Sequence, residues 1–186
     1  SYDGDANNNG ATGACGDQGE TSTVSPATPS ISTAATNAQL PAGTIHDVAT
    51  VGGLTATAGG TVRFDLWNNP TCVGTPIFTN TQPLGAVTGG TASATSANFT
   101  PTAAGGYYWI AFYSGDAGNL AKQGTCGDAG ETSTVTKASP RIATVADVGA
   151  ALPGGTLFDT ASLSGLTSNA TGTVTFRLYG PDTTPI

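Results

Sequence analysis

The sequence predicts an all-β chain arranged as tandem two-sheet sandwiches of about seven strands each. Apolar residues alternate or run in short stretches between Gly, Pro and Asn, and no segment carries a sustained i, i+3, i+4 stripe. An internal repeat of about 111 residues divides the 186-residue chain. Threonine, which suits a solvated strand without bringing charge, occurs 33 times, while charged residues are only 9% of the chain.

That composition excludes several functions. Five basic residues against twelve acidic ones give a net charge of −7, so no nucleic-acid partner is expected. The chain has no apolar run of the ~18 residues that a membrane helix requires, so no membrane insertion is expected in this segment. One histidine, His46, and three cysteines do not readily build a His/Cys metal centre or a His-based triad. No enzyme activity, cofactor or metal site is expected.

The repeat is carried by two matched pairs of segments. Residues 2–24 (YDGDANNNGATGACGDQGETSTV) and 113–135 (YSGDAGNLAKQGTCGDAGETSTV) agree at 15 of 23 positions at an offset of 111. Residues 40–62 (LPAGTIHDVATVGGLTATAGGTV) and 152–174 (LPGGTLFDTASLSGLTSNATGTV) agree at 13 of 23 at an offset of 112. Chance matches of Gly and Thr would not bring Tyr, Asp, Cys, Glu and Leu-Pro into register twice. The register predicts C-terminal strands of a first unit at 1–24, a complete unit at 25–135, and N-terminal strands of a third at 136–186. A slice of a longer string is the expectation. The proline-bearing junctions at 24–30 and 135–141 read as semi-rigid connections.

Within the complete unit, strands are expected at 30–35, 44–54, 61–67, 76–82, 91–100, 107–113 and 131–136. Glycine pairs, Asn68-Asn69-Pro70 and Ser114-Gly115 punctuate them. Seven strands in about 111 residues suit an immunoglobulin-like sandwich. Strand phase puts Val62, Phe64 and Leu66 on one face and Arg63, Asp65 and Trp67 on the other. Tyr107, Trp109, Ala111 and Tyr113 form the inward set of the aromatic strand. Its outward set, Tyr108, Ile110 and Phe112, is also apolar. Cover by the unit's own loops is the first explanation, and contact with a neighbouring domain or chain the second.

Cys126 has a counterpart at Cys15, and Cys72 has none. One cysteine after the third strand and one in the loop before the last would pair as Cys72–Cys126, leaving Cys15 to pair upstream of Ser1. Such a disulfide implies an oxidising, extracellular setting.

The stretches GTVRFDLW, FTPTAAGGYYWIAFYSGDAGN and CGDAGETSTVTKASP resemble a cysteine-bearing bacterial immunoglobulin-like tandem repeat. The most specific pieces are YSGDA at 113–117 and CGDxGETS at 126–133. The resemblance covers the complete unit and both partial ones. It implies a sandwich fold, a secreted or cell-surface location, a spacer, adhesive or fibre-forming role, and no catalytic residues. The apolar trio Tyr108, Ile110 and Phe112 departs from the more polar outer face usual in that family.

Seven of the twelve acids lie at 3–20 and 116–131. They read as turn chemistry and solvation of a domain edge, with a junction-stiffening calcium site through Asp116, Asp128 and Glu131 as the less favoured alternative. His46 is replaced by Phe158 in the next unit, which makes it a filler rather than a catalyst. Lys122 and Lys137 do not recur, which disfavours an isopeptide cross-link. The sequons at Asn98 and Asn169 read as turn and strand residues. The leading expectation is a structural segment of a large extracellular bacterial surface protein, acting as a stalk or self-assembling fibre. Trp67, Tyr108, Ile110 and Phe112 are its candidate contacts, and its partners are further copies of the repeat, within or between chains. An adhesin or glycan-binding module is the alternative, because exposed aromatics also stack on sugars.

Overall fold

The computed structural model describes residues 1–147, 149 and 153–180. Leu152, at the head of the second matched segment, and residues 181–186 of the third unit lie outside them. Every regular element among the described residues is a strand. In chain order they are β1 (Ser30–Ala35), β2 (Ala38–Gln39), β3 (Asp47–Gly52), β4 (Thr61–Trp67), β5 (Phe78–Pro83), β6 (Thr91–Thr95), β7 (Gly105–Tyr113), β8 (Lys122–Gln123), β9 (Thr132–Thr136), β10 (Arg141–Ala146) and β11 (Asp159–Ser164). The chain is all-β, as its alternating pattern predicts.

Two sheets enclose the core of residues 30–136. One is antiparallel with order β1-β3-β6; the other has order β2-β9-β7-β4-β5, with β8 also pairing β7. Period-2 alternation sends one side chain in two inward. From the first sheet come Ala49 and Val51, with Ile45 just before β3; from the second come Val62, Phe64, Leu66, Trp109, Ala111 and Tyr113. Trp109 is fully buried. Its ring meets Phe78 edge-on with centroids 6.0 Å apart, and its indole N–H donates to Ser133 Oγ at 3.0 Å. An interior tryptophan thus has both its apolar body packed and its one donor satisfied.

Two expected strands are longer than those found. The 44–54 and 91–100 segments pair regularly only over β3 and β6, then again at an isolated Ile45–Phe99 bridge. Between these stretches Ser96 Oγ accepts the amide of Asp47 at 3.0 Å, so a side chain replaces a ladder bond. The two-residue strands β2 and β8 were not anticipated. Two residues show no period.

The flanking segments repeat local structure without a core of their own. The β10–β11 register (Arg141 opposite Ser164) reproduces that of β1–β3 (Ser30 opposite Gly52). Yet Leu157, Val174, Phe176 and Leu178 are 59%, 40%, 52% and 84% exposed, whereas their counterparts Ile45, Val62, Phe64 and Leu66 are all at 0%. They line an open groove of about 660 Å³ with Ile142 and Phe158. The difference lies in whether a second sheet packs on them. Phe64→Ala is therefore expected to cost about 3–5 kcal/mol and Phe176→Ala less than about 0.5 kcal/mol, as read from urea-unfolding midpoints.

Candidate functional site

The outer face of the larger sheet holds the four residues that sequence reasoning nominated as contacts. The β4–β7 register sets Arg63 opposite Phe112, Asp65 opposite Ile110 and Trp67 opposite Tyr108. The Arg63 guanidinium stands 4.1 Å from the Phe112 ring centroid, and its Nη2 lies 3.1 Å from Asp65 Oδ2. Asp65 also accepts the Thr79 hydroxyl at 2.9 Å. Trp67 donates its indole N–H to Gly74 O at 3.1 Å, so the 68–77 loop folds back towards it. Trp67 and Ile110 are consequently each only 7% exposed. They are not surface contacts, contrary to the sequence expectation. Tyr108 and Phe112 are half-buried and remain accessible.

Beside this face runs the disulfide. Cys72 and Cys126 are bonded, with Cα atoms 5.9 Å apart and a sequence separation of 54, the pairing that the sequence suggests. The bond joins the loop after β4 to the loop before β9. Cys72 occupies the left-handed region at φ +48°, held in a turn whose Asn69 Oδ1 accepts the Thr71 hydroxyl at 2.9 Å and the Val73 amide at 3.3 Å. Cys15 is free and exposed.

The acidic loops are built as turns. Asp116 Oδ1 accepts the Gly118 amide at 2.7 Å and the Asn119 side-chain amide at 2.9 Å, while Oδ2 accepts the Gly59 amide at 2.7 Å. These donors, that of Gly59 foremost, hold its carboxyl down at about 2. Asp5 repeats the arrangement, accepting the Asn7 amide at 2.8 Å and the Asn8 side chain at 2.9 Å. Asp128 and Asp17 each cap a turn through the amide three residues earlier, at 3.0 and 2.9 Å. Glycines at positive φ recur in register, Gly4 with Gly115, Gly16 with Gly127 and Gly19 with Gly130. The turns at 4–8 and 14–20 thus share their conformation with those at 115–119 and 125–131. Asp116 and Asp128 are spent on N–H donors there and do not converge with Glu131 on a cation.

Other nominated residues fall in unremarkable places. His46 is half-buried, with Nδ1 3.4 Å from Thr36 Oγ1. Lys122 and Lys137 are exposed, as are Asn98 and Asn169.

Sequence reasoning missed a pair of interior acids. Asp47 is 0% and Glu131 2% exposed. Burial pushes the Asp47 carboxyl up to about 7, against the opposing pull of the Val48 and Ala34 amides. Burial, then the charges of Asp47 and Asp128, push Glu131 up to about 8. The signal was strand phase: Asp47 sits in step with Ile45, Ala49 and Val51, and Glu131 with Ser133 and Val135. Grouping Glu131 with the exposed loop acids hid it.

Comparisons with protein-family models, curated proteins and solved structures found no match. No helix among the described residues is long and apolar enough to cross a membrane.

The two raised carboxyls make stability depend on pH. From their unfolded values of 3.8 and 4.5 up to about 7 and 8, the folded state binds more protons than the unfolded one. Stability therefore falls as pH rises through that window and levels off above it. His46, beside Asp47, and Asp128, facing Glu131, are the other titratable groups nearby. In chelating buffer the urea midpoint is expected to drop between about pH 5 and pH 8, and Asp47→Asn with Glu131→Gln to flatten that dependence.

Proposed function

We propose that the chain is a structural segment of a large extracellular bacterial surface protein, built of immunoglobulin-like repeats and acting as a stalk or self-assembling fibre. One observation carries this reading: the turns at 4–8 and 14–20 fold like those at 115–119 and 125–131, down to the hydrogen bonds of Asp5 and Asp116. A repeated unit with a repeated conformation is what a string of domains requires.

The strand layout supports the immunoglobulin-like assignment: a three-stranded sheet faces a larger one, and the short second strand pairs in parallel with the last. That parallel pair also suits a mechanical role. Tension applied to the two ends of the unit pulls β2 and β9 past each other, so their bonds are strained together rather than one at a time. Leu40 N–H to Thr136 O (3.1 Å) and Thr134 N–H to Asn37 Oδ1 (2.6 Å) lie in this seam. The junction is docked as well, since the Ala27 amide donates to Gly118 O and Ala27 O accepts from Leu120, both at 2.9 Å. A disulfide in the complete unit accords with an oxidising compartment.

Tyr108 and Phe112 favour lateral contact between copies. Their half-exposed rings, with Arg63 alongside, would equally stack on a sugar ring, which keeps an adhesin as the second reading.

Single-molecule extension of the oxidised unit is expected to release only the residues outside the Cys72–Cys126 loop. Reduction should lengthen the step by about 190 Å, at about 3.5 Å for each residue of the 54-residue sequence separation; an unchanged step refutes the mechanical clamp. Tyr108→Ser with Phe112→Ser is expected to abolish association in sedimentation velocity while leaving the unfolding midpoint within about 1 kcal/mol. Glycan-array binding that the same pair of substitutions removes would favour the adhesin.

A further inference from the structure

Four buried side-chain polar atoms among the described residues make no hydrogen bond: Thr33 Oγ1, both carboxylate oxygens of Asp47, and Glu131 Oε2. All are oxygens, and all fall in one place between the sheets. Ala35 stands opposite Asp47 in the β1–β3 register. Its amide donates to Gly130 O at 2.7 Å, which brings the residue before Glu131 against β1. Gly130, at φ +90°, packs so tightly on Thr33 that a side chain there would strike the Thr33 carbonyl. Two carboxyl groups and a hydroxyl thus meet: the Val48 and Ala34 amides lie near Asp47 and the Thr33 hydroxyl near Glu131, but none reaches these oxygens in hydrogen-bond geometry.

Nothing basic answers them. Arg63–Asp65 is the one ion pair among the described residues. Asp128 adds negative charge beside Glu131, and the His46 ring is turned towards Thr36. Burying two carboxyls without partners is costly. Even so, the three residue types recur in the repeat register as Thr144, Asp159 and Glu20.

We propose that Asp47, Glu131 and Thr33 form a binding site for a hard, oxygen-seeking cation, calcium. The donors are all oxygen, two anionic and one neutral, which suits calcium better than zinc or copper, whose sites favour nitrogen and sulfur. Occupancy would pin β1 and β3 of one sheet to the head of β9 in the other. This departs from the sequence expectation of no metal, and it does not use the loop acids Asp5 and Asp116, whose oxygens already accept N–H donors.

The test is thermal unfolding of the full chain, stripped with EDTA, at pH 7.5. Calcium chloride at 5 mM is expected to raise the Tm by about 5 °C, given the weak affinity usual for extracellular calcium modules, and magnesium chloride to raise it less. Asp47→Asn with Glu131→Gln removes both buried charges, so the variant is expected to fold and to lose the response. Asp116→Asn is expected to keep it. Equilibrium dialysis of the unmodified chain should show saturable calcium uptake, a readout that does not depend on any variant folding. Absence of both uptake and Tm shift would mean that protons alone neutralise the pair. A shift that survives in D47N/E131Q would put the cation elsewhere. Either result overturns the proposal.

Discussion

Strand β7 is the constraint on which the structure depends. It receives β4 along one edge and β9 and β8 along the other, and its inward side chains fill the middle of the sandwich. Trp109 is locked by Phe78, Ser133 and the opposing sheet. Where a β7 is present, Val62, Phe64 and Leu66 disappear from solvent. Over residues 153–180, which describe no equivalent, Val174, Phe176 and Leu178 stand open. Identical chemistry gives opposite burial, so the core belongs to the assembled unit and not to its individual strands. Hydrophobic burial, not strand propensity, accounts for the contrast.

Most of this was legible in sequence because strand phase is a local signal. The inward sets of β4 and β7 follow from alternation alone, and the Cys72–Cys126 pairing follows from comparing one unit with the next. Two kinds of feature were not legible. The first is cover: alternation places Trp67 and Ile110 outward, but a loop tethered at Gly74 and a layer of Arg63, Asp65 and Thr79 close over that face. Such closure depends on tertiary contacts that no periodicity encodes. The second is the destination of an acid. Asp116, Asp128 and Glu131 lie within one short stretch, yet two accept turn amides and the third points into the core.

Those two fates show how sparingly the chain spends its charge. With few charged residues available, seven of the twelve carboxylates have an identifiable duty. Asp5, Asp17, Asp116 and Asp128 organise turns, Asp65 pairs with Arg63, and Asp47 and Glu131 meet inside. Solvation of the strands is left to threonine and serine. Arg63–Asp65 is the one ion pair among the described residues, so hydrogen bonds, packing and the covalent bridge, rather than ion pairs, hold its shape.

The bridge also changes the connectivity of the chain. Residues between Cys72 and Cys126 form a covalent ring that contains β5, β6, β7 and β8, and the main chain enters and leaves through its two cysteines. A single peptide-bond cleavage inside the ring, for instance in the exposed turn at Gly89–Gly90, opens the ring but severs nothing. The pieces stay joined through sulfur, so a filament built of such units would survive one cut in every ring without losing length.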